Sequence, residues 1–250
     1  MGNTFKAVIS LLPSLIRGGR GAVIKGKRKQ PAKLLELYDA EFCPFCRFVR
    51  ETLTELDLDV IIYPVPKNGE RFKARVAELG GKTTVPFIVD PNTGKQLYDS
   101  EAIAAYLYAE YGPVGKKPPA RFIYTSLLAT MFRGSNGKYA QPSKAPEQLL
   151  ELYSFEASPY ARLVRETLCE LETPYILHNV GKAPGQIIEW LPPGLRITMK
   201  KDYVPDTESR RKLQERGGRM QVPYLIDPNT TTAMYESADI QRYLRSTYGA

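Results

Sequence analysis

Cys43 and Cys46, three positions apart in Cys43-Pro44-Phe45-Cys46, are the residues of this chain best placed for covalent chemistry. A pair at that spacing suits thiol-disulfide exchange or half of a metal site. Pro44 reads as the first position of a helix, which sets Cys43 just ahead of it, where unpaired backbone N–H groups and the positive end of the helix dipole favour a thiolate. Arg47 adds a cation nearby and Glu41 an anion, so sequence alone leaves the net shift open. Cys46 lies one turn further on, within reach of a mixed disulfide formed on Cys43. The expected roles are nucleophile for Cys43 and resolving thiol for Cys46.

Three cysteines in 250 residues cannot build a disulfide framework, which points to a reducing intracellular compartment. With a single histidine, His178, and no second CxxC, a zinc site made only of protein ligands is not expected. Two further motifs stand downstream. Thr84-Val85-Pro86 places a proline after a helical stretch and before a strand, a position that suggests a cis peptide. The main chain of Val85, turned outward there, could pair with an extended cysteinyl substrate. Asp99-Ser100 opens a helix, where serine can act as cap or the helix terminus can receive a carboxylate.

These motifs need a frame, and hydrophobic periodicity supplies one. Leu34–Asp39 reads as a strand, Pro44–Leu56 as a helix and Val60–Val65 as a strand, which together make a βαβ unit. A polar helix over Glu70–Leu79, a strand over Phe87–Asp90, the turn Pro91-Asn92-Thr93-Gly94, a short strand over Gln96–Tyr98 and a helix over Ser100–Tyr111 follow. The order βαβαββα is thioredoxin-like.

The frame occurs twice. Glu36 to Leu56 aligns without a gap to Glu151 to Leu171, with 13 of 21 residues identical. The match resumes at Gly80-Gly81 with Gly217-Gly218, Val85-Pro86 with Val222-Pro223, and Ser100–Gly112 with Ser237–Gly249. It also reaches upstream, since Ser10 to Gly21 resembles Ser126 to Gly137. Each unit therefore reads as a short apolar helix, an Arg-Gly stop, a basic connector and a thioredoxin-like module. The expected organisation is a basic N-terminal helix and connector over 1–33, a first module over 34–112, a linker with a helix over 113–148, and a second module over 149–250. The second module carries an insertion at about 183–206, which contains Trp190. It also replaces the dithiol by Ser158-Pro159-Tyr160-Ala161, which cannot form a disulfide.

Taken together, the dithiol, the Val85-Pro86 loop and the acidic-Ser pair resemble the glutathione-binding module shared by glutaredoxins and the amino-terminal domain of glutathione transferases. The fold class this implies is α/β, as two tandem thioredoxin-like domains. The resemblance implies that Val85 and Pro86 meet the cysteinyl part of glutathione and Asp99 and Ser100 its γ-glutamyl end, with Phe45 and Thr84 as further glutathione-binding residues. In the second module it implies a weaker ligand site at Ser158, Val222, Pro223, Glu236 and Ser237. The function implied is glutathione-linked thiol-disulfide exchange, with protein or small-molecule disulfides as partners. Two other readings stay open: ligation of an iron-sulfur cluster by Cys43 with glutathione, and a non-enzymatic scaffold. Glutathione transfer to an electrophile is less expected, because a second module stands where transferases carry an all-helical domain. Tandem chains of this appearance are similar to an uncharacterised cyanobacterial and plastid group, which implies the cytoplasm of a cyanobacterium or a chloroplast.

The net charge of +8 equals the eight cations that precede the first acid, Glu36, so Glu36 to Ala250 is neutral overall. Such a basic arm can meet a membrane surface or a protein complex, or look like a transit peptide; its ordinary reading is a solvated leader. Nucleic acid is not expected as a partner.

Overall fold

The computed structural model describes residues 2–27, 29–120, 123–183 and 207–250. The insertion expected at 183–206, with Trp190, lies outside them from residue 184 onward.

The first unit opens with α1 (Gly2–Ile16) and continues with β1 (Leu35–Asp39), α2 (Pro44–Glu55), β2 (Val60–Pro64), α3 (Lys73–Gly80), β3 (Phe87–Asp90), β4 (Lys95–Tyr98) and α4 (Ser100–Tyr111). The second repeats the order with α5 (Ile123–Met131), β5 (Leu150–Ser154), α6 (Pro159–Glu170), β6 (Tyr175–Asn179), α7 (Glu208–Gly217), β7 (Tyr224–Asp227), β8 (Thr232–Tyr235) and α8 (Ser237–Tyr248). The mixed α/β fold with two thioredoxin-like units is thus the one expected. Helix α3 starts three residues later than its apolar spacing suggests. The cause is long-range: the Arg71 N–H donates to Glu172 and its guanidinium to the Leu171 and Glu172 carbonyls, which holds residues 69–71 against the second unit.

All eight strands form one sheet in the order β4-β3-β1-β2-β6-β5-β7-β8. The units meet edge to edge through antiparallel β2 and β6, in the register Val60↔Leu177, Ile61↔Ile176, Ile62↔Tyr175. Ile176 is the repeat equivalent of Ile61, so the pairing is the same patch meeting itself about a pseudo-twofold axis, as in an isologous dimer fused into one chain. A single apolar core runs through both units, from Leu35, Val49 and Leu107 to Leu152, Val164 and Leu244.

The upstream segments do not hang free, which corrects the solvated-leader reading. Helix α1 packs on α6, α5 packs on α2, and the two cross each other, so each leader lies on the other unit's first helix. Arg17 and Arg133, equivalent residues, are buried against Glu51 and Glu166 at 2.6 Å. Arg20, Lys25, Lys27 and Lys29 pair with Glu55, Asp57 or Glu110. Gly21 and Gly137, both at positive φ, pass so close to α2 and α6 that a Cβ on Gly21 would stand 2.7 Å from the Glu156 side chain. Only glycine suits both demands. Among the described residues no helix is long and apolar enough to cross a membrane.

Candidate functional site

Strand β1 ends at Asp39 and the chain turns into α2 with Cys43 as its N-cap. Pro44 at the first helical position pre-sets the turn and lacks the N–H that would be orphaned there. The Cys43 sulfur accepts a hydrogen bond from the Cys46 N–H at 3.4 Å. A thiol hydrogen bond from Cys46, stronger than the opposing effect of burial, lowers the Cys43 pKa from its ordinary value. Cys46 is fully buried, and burial together with the neighbouring Cys43 pushes its thiol well above the ordinary value. The two sulfurs thus differ in the direction of their shifts, Cys43 downward at 9 % exposure and Cys46 upward at full burial.

Val85 packs against the cluster of Cys43, Cys46, Ala40 and Phe42. The Val85–Pro86 peptide is cis, as is Val222–Pro223. In the sheet, Phe87 pairs with both Tyr38 and Tyr98. One residue further along each strand, Asp39, Pro86 and Asp99 consequently share one end of the sheet, beside the dithiol. Thr84 and Asp99 are exposed there, Phe45 is 39 % exposed and Ser100 is buried. The α4 cap differs from the expected serine: the Asp99 carboxylate accepts from the Glu101 and Ala102 N–H groups, and Ser100 is the first helical residue. Asp99 has φ +71, a conformation few non-glycine residues adopt, and its equivalent Glu236 has φ +69.

The second unit preserves this frame without the thiols. Ser158 caps α6 through a hydrogen bond from the Ala161 N–H at 3.3 Å, and Glu236 accepts from Gln221 at 2.7 Å. Ser158 is 2 % exposed. Gly21 accepts from the Ala157 N–H, and Ala22 with Val23 packs against Phe155, Ala157 and Val222, so the leader covers this second site.

Sequence reading missed what lies beneath the dithiol. The Asp39 carboxyl lies beside the Cys46 thiol, and burial raises its pKa. Arg50 Nη1 donates to both Asp39 oxygens at 2.7 Å, and Arg50 Nε reaches across the units to Glu156 at 2.9 Å. Arg165, the equivalent of Arg50, reaches back to Glu41 at 3.2 Å and also to Glu156 at 3.0 Å. Burial alone would raise the Glu156 pKa, yet Arg165, Arg50, Arg47 and Arg162 hold it down to about 2. One signal for this network was present: Glu41, Arg47 and Arg50 are identical to Glu156, Arg162 and Arg165, although the neighbouring thiols are not kept.

Among the described residues no group of three His, Cys, Asp or Glu side chains could hold a metal ion.

The model of the glutathione S-transferase N-terminal domain matches residues 37–117 and again residues 152–250. The chain belongs to this family. Among solved structures it is similar to a glutathione transferase of Bombyx mori, at 32% identity over 34% of this chain and 38% of that one, with a TM-score of 0.29. It is also similar to TDR1, a trimeric glutathione transferase of Leishmania, at 13% identity over 88% of this chain and 68% of that one, again with a TM-score of 0.29. The chain thus spans well under two thirds of the Bombyx protein. No curated protein matches it.

Proposed function

We propose that the protein is a glutathione-linked thiol-disulfide oxidoreductase whose chemistry resides in the first unit. The observation that carries this reading is the Cys43 sulfur at the α2 N-terminus, with a lowered pKa, packed beside Val85 of the cis-proline loop. In the first step the Cys43 thiolate attacks one sulfur of a substrate disulfide; the other sulfur leaves as a thiolate and takes a proton from water. In the second, Cys46 gives its proton to Asp39 and attacks the Cys43 sulfur of the mixed disulfide. That expels the second substrate thiol and leaves a Cys43–Cys46 disulfide. Two molecules of glutathione return the pair to the dithiol and depart as glutathione disulfide. The main chain of Val85 would align the incoming cysteinyl group, and the α4 N-terminus with Asp99 and Ser100 would receive the γ-glutamyl end. A reducing compartment, such as the cytoplasm of a cyanobacterium or a chloroplast, supplies the glutathione this cycle consumes.

Glutathione-dependent reduction of a small mixed disulfide by the wild type, Cys43→Ser and Cys46→Ser proteins tests the reading. The expected result is loss of activity in Cys43→Ser. Cys46→Ser is expected to retain activity only towards glutathionylated substrates, where glutathione itself can resolve the mixed disulfide. Activity untouched by Cys43→Ser would overturn it.

A further inference from the structure

The two leader helices are inside out. Among the described side chains of α1, residues 9–16, the buried positions are Ser10, Pro13 and Ser14, while Leu12 is 40% and Leu15 56% exposed. On α5 the buried positions are Ser126 and Ala129, while Tyr124, Leu127, Leu128 and Met131 are 80%, 41%, 49% and 74% exposed, followed by Phe132 at 52%. The inward polar faces have partners of their own. Arg162 donates to Ser10 and Ser14, Ser14 donates to the Ala157 carbonyl and Ser126 to the Pro44 carbonyl. An ordinary surface helix turns its apolar stripe to the core. These two spend their polar side on the protein and leave the apolar side outward, and because they cross each other their faces form one plate. Seven of the eleven large apolar side chains exposed among the described residues lie on this plate or at its edge.

We propose that this plate is a docking surface for an anionic lipid membrane, on which the protein rests with the apolar side chains of α1 and α5 immersed in the headgroup and upper acyl region. Charge selects this occupant over a second copy of the chain. The segments that carry the plate, residues 1–35 and 113–146, hold 14 of the 35 cations and none of the 27 acids, leaving 21 cations against 27 acids elsewhere. Several of these cations are used inside the fold. Lys116 and Lys117 stand exposed on the connector that leads into α5, whose Ala120 carbonyl accepts from Arg20 in the turn after α1. Two copies placed face to face would bring like charges together around the apolar contact. An anionic bilayer instead neutralises them and takes up the leucines, methionine and aromatics. Since Ser126 of the plate holds the carbonyl of Pro44, the Cys43 site would lie at the rim of the docked face.

Flotation of the full-length protein with vesicles tests the proposal. Vesicles of phosphatidylcholine with phosphatidylglycerol are expected to carry the wild type upward, and vesicles of phosphatidylcholine alone to carry much less. The triple variant Leu15→Ser, Leu128→Ser, Met131→Ser changes only exposed positions and is expected to keep the wild-type circular dichroism and thermal transition. Its affinity for the anionic vesicles should fall by up to about a thousandfold, because each of the three large apolar side chains contributes on the order of a tenfold factor when fully taken out of water. Lys116→Glu with Lys117→Glu should weaken binding and flatten its salt dependence. The proposal is overturned if the wild type stays unbound, if the folded triple variant floats equally well, or if sedimentation shows a dimer that the triple variant dissolves while neither protein binds vesicles.

Discussion

At the scale of single residues, the decisive property of Cys43 is its difference from the other two thiols. Cys43 caps a helix and its pKa is lowered, whereas burial raises those of Cys46 and Cys169 well above the ordinary thiol value. Cys169 sits in the second unit's first helix with its sulfur accepting from the Glu41 N–H, a packing role across the unit boundary. The thiolate is the reactive form, so brief treatment of the native protein with iodoacetamide at pH 7 should label one cysteine. Peptide mapping is expected to find the label on Cys43, with Cys46 and Cys169 reacting only after unfolding. Equal labelling of all three in folded protein would contradict this division. Asp39 sharpens it further. Held by Arg50 beside the Cys46 thiol, its carboxylate would be the proton acceptor for Cys46 in the cycle proposed above. In the second unit the same position is Ser154, which fits the absence of a thiol there.

At the scale of elements, β1, α2, β2 and their repeats were legible because each carries a local signal: apolar alternation in β1 and β5, β-branched residues in β2, a proline at the start of α2 and α6, and apolar spacing along those helices. The junction between the units was not legible, since nothing local marks β2 and β6 as edges that find each other. Its chemistry is polar as well as apolar. His178 stands at β6 with Nδ1 2.6 Å from Asp59 of the first unit and Nε2 2.9 Å from Glu151 of β5. Burial works against its charge, yet the two carboxylates raise its pKa to about 9. A histidine whose folded pKa lies above its unfolded value contributes stability that is complete below about pH 6.5 and disappears as the pH passes about 9. Thermodynamic linkage puts that contribution at about 2 kcal/mol between pH 7 and pH 9.5. Urea titrations at these two pH values should show wild type losing about that much more stability than His178→Gln. Parallel losses in both proteins would show that the bridge does not join the units.

At the scale of the whole molecule, two units with separate sequence signals need not behave as two units in solution. Their sheet is continuous through Ile61 and Ile176, and one apolar cluster spans both, with a smaller one beside α3 in the first unit and beside α7 in the second. Arg50 and Arg165 each reach a carboxylate of the other unit, and each leader helix lies on the opposite unit's first helix. Separating the units would expose Ile62 and Tyr175 to water and break the Arg50–Glu156 and Arg165–Glu41 pairs together, with a cost of about 25 cal/mol for each Å² of apolar surface uncovered. Intermediates with one folded unit would carry this exposed surface and are not expected to accumulate. Equilibrium unfolding is expected to follow one transition, with far-ultraviolet and near-ultraviolet circular dichroism coinciding. A cavity in one unit should then be felt in both. Leu107→Ala, fully buried on α4, should cost about 2 to 5 kcal/mol and lower amide exchange protection in α8 of the second unit by the same amount as in α4. Loss of protection confined to the first unit, or two resolved transitions, would mean that the duplicated halves fold as independent domains joined at a surface.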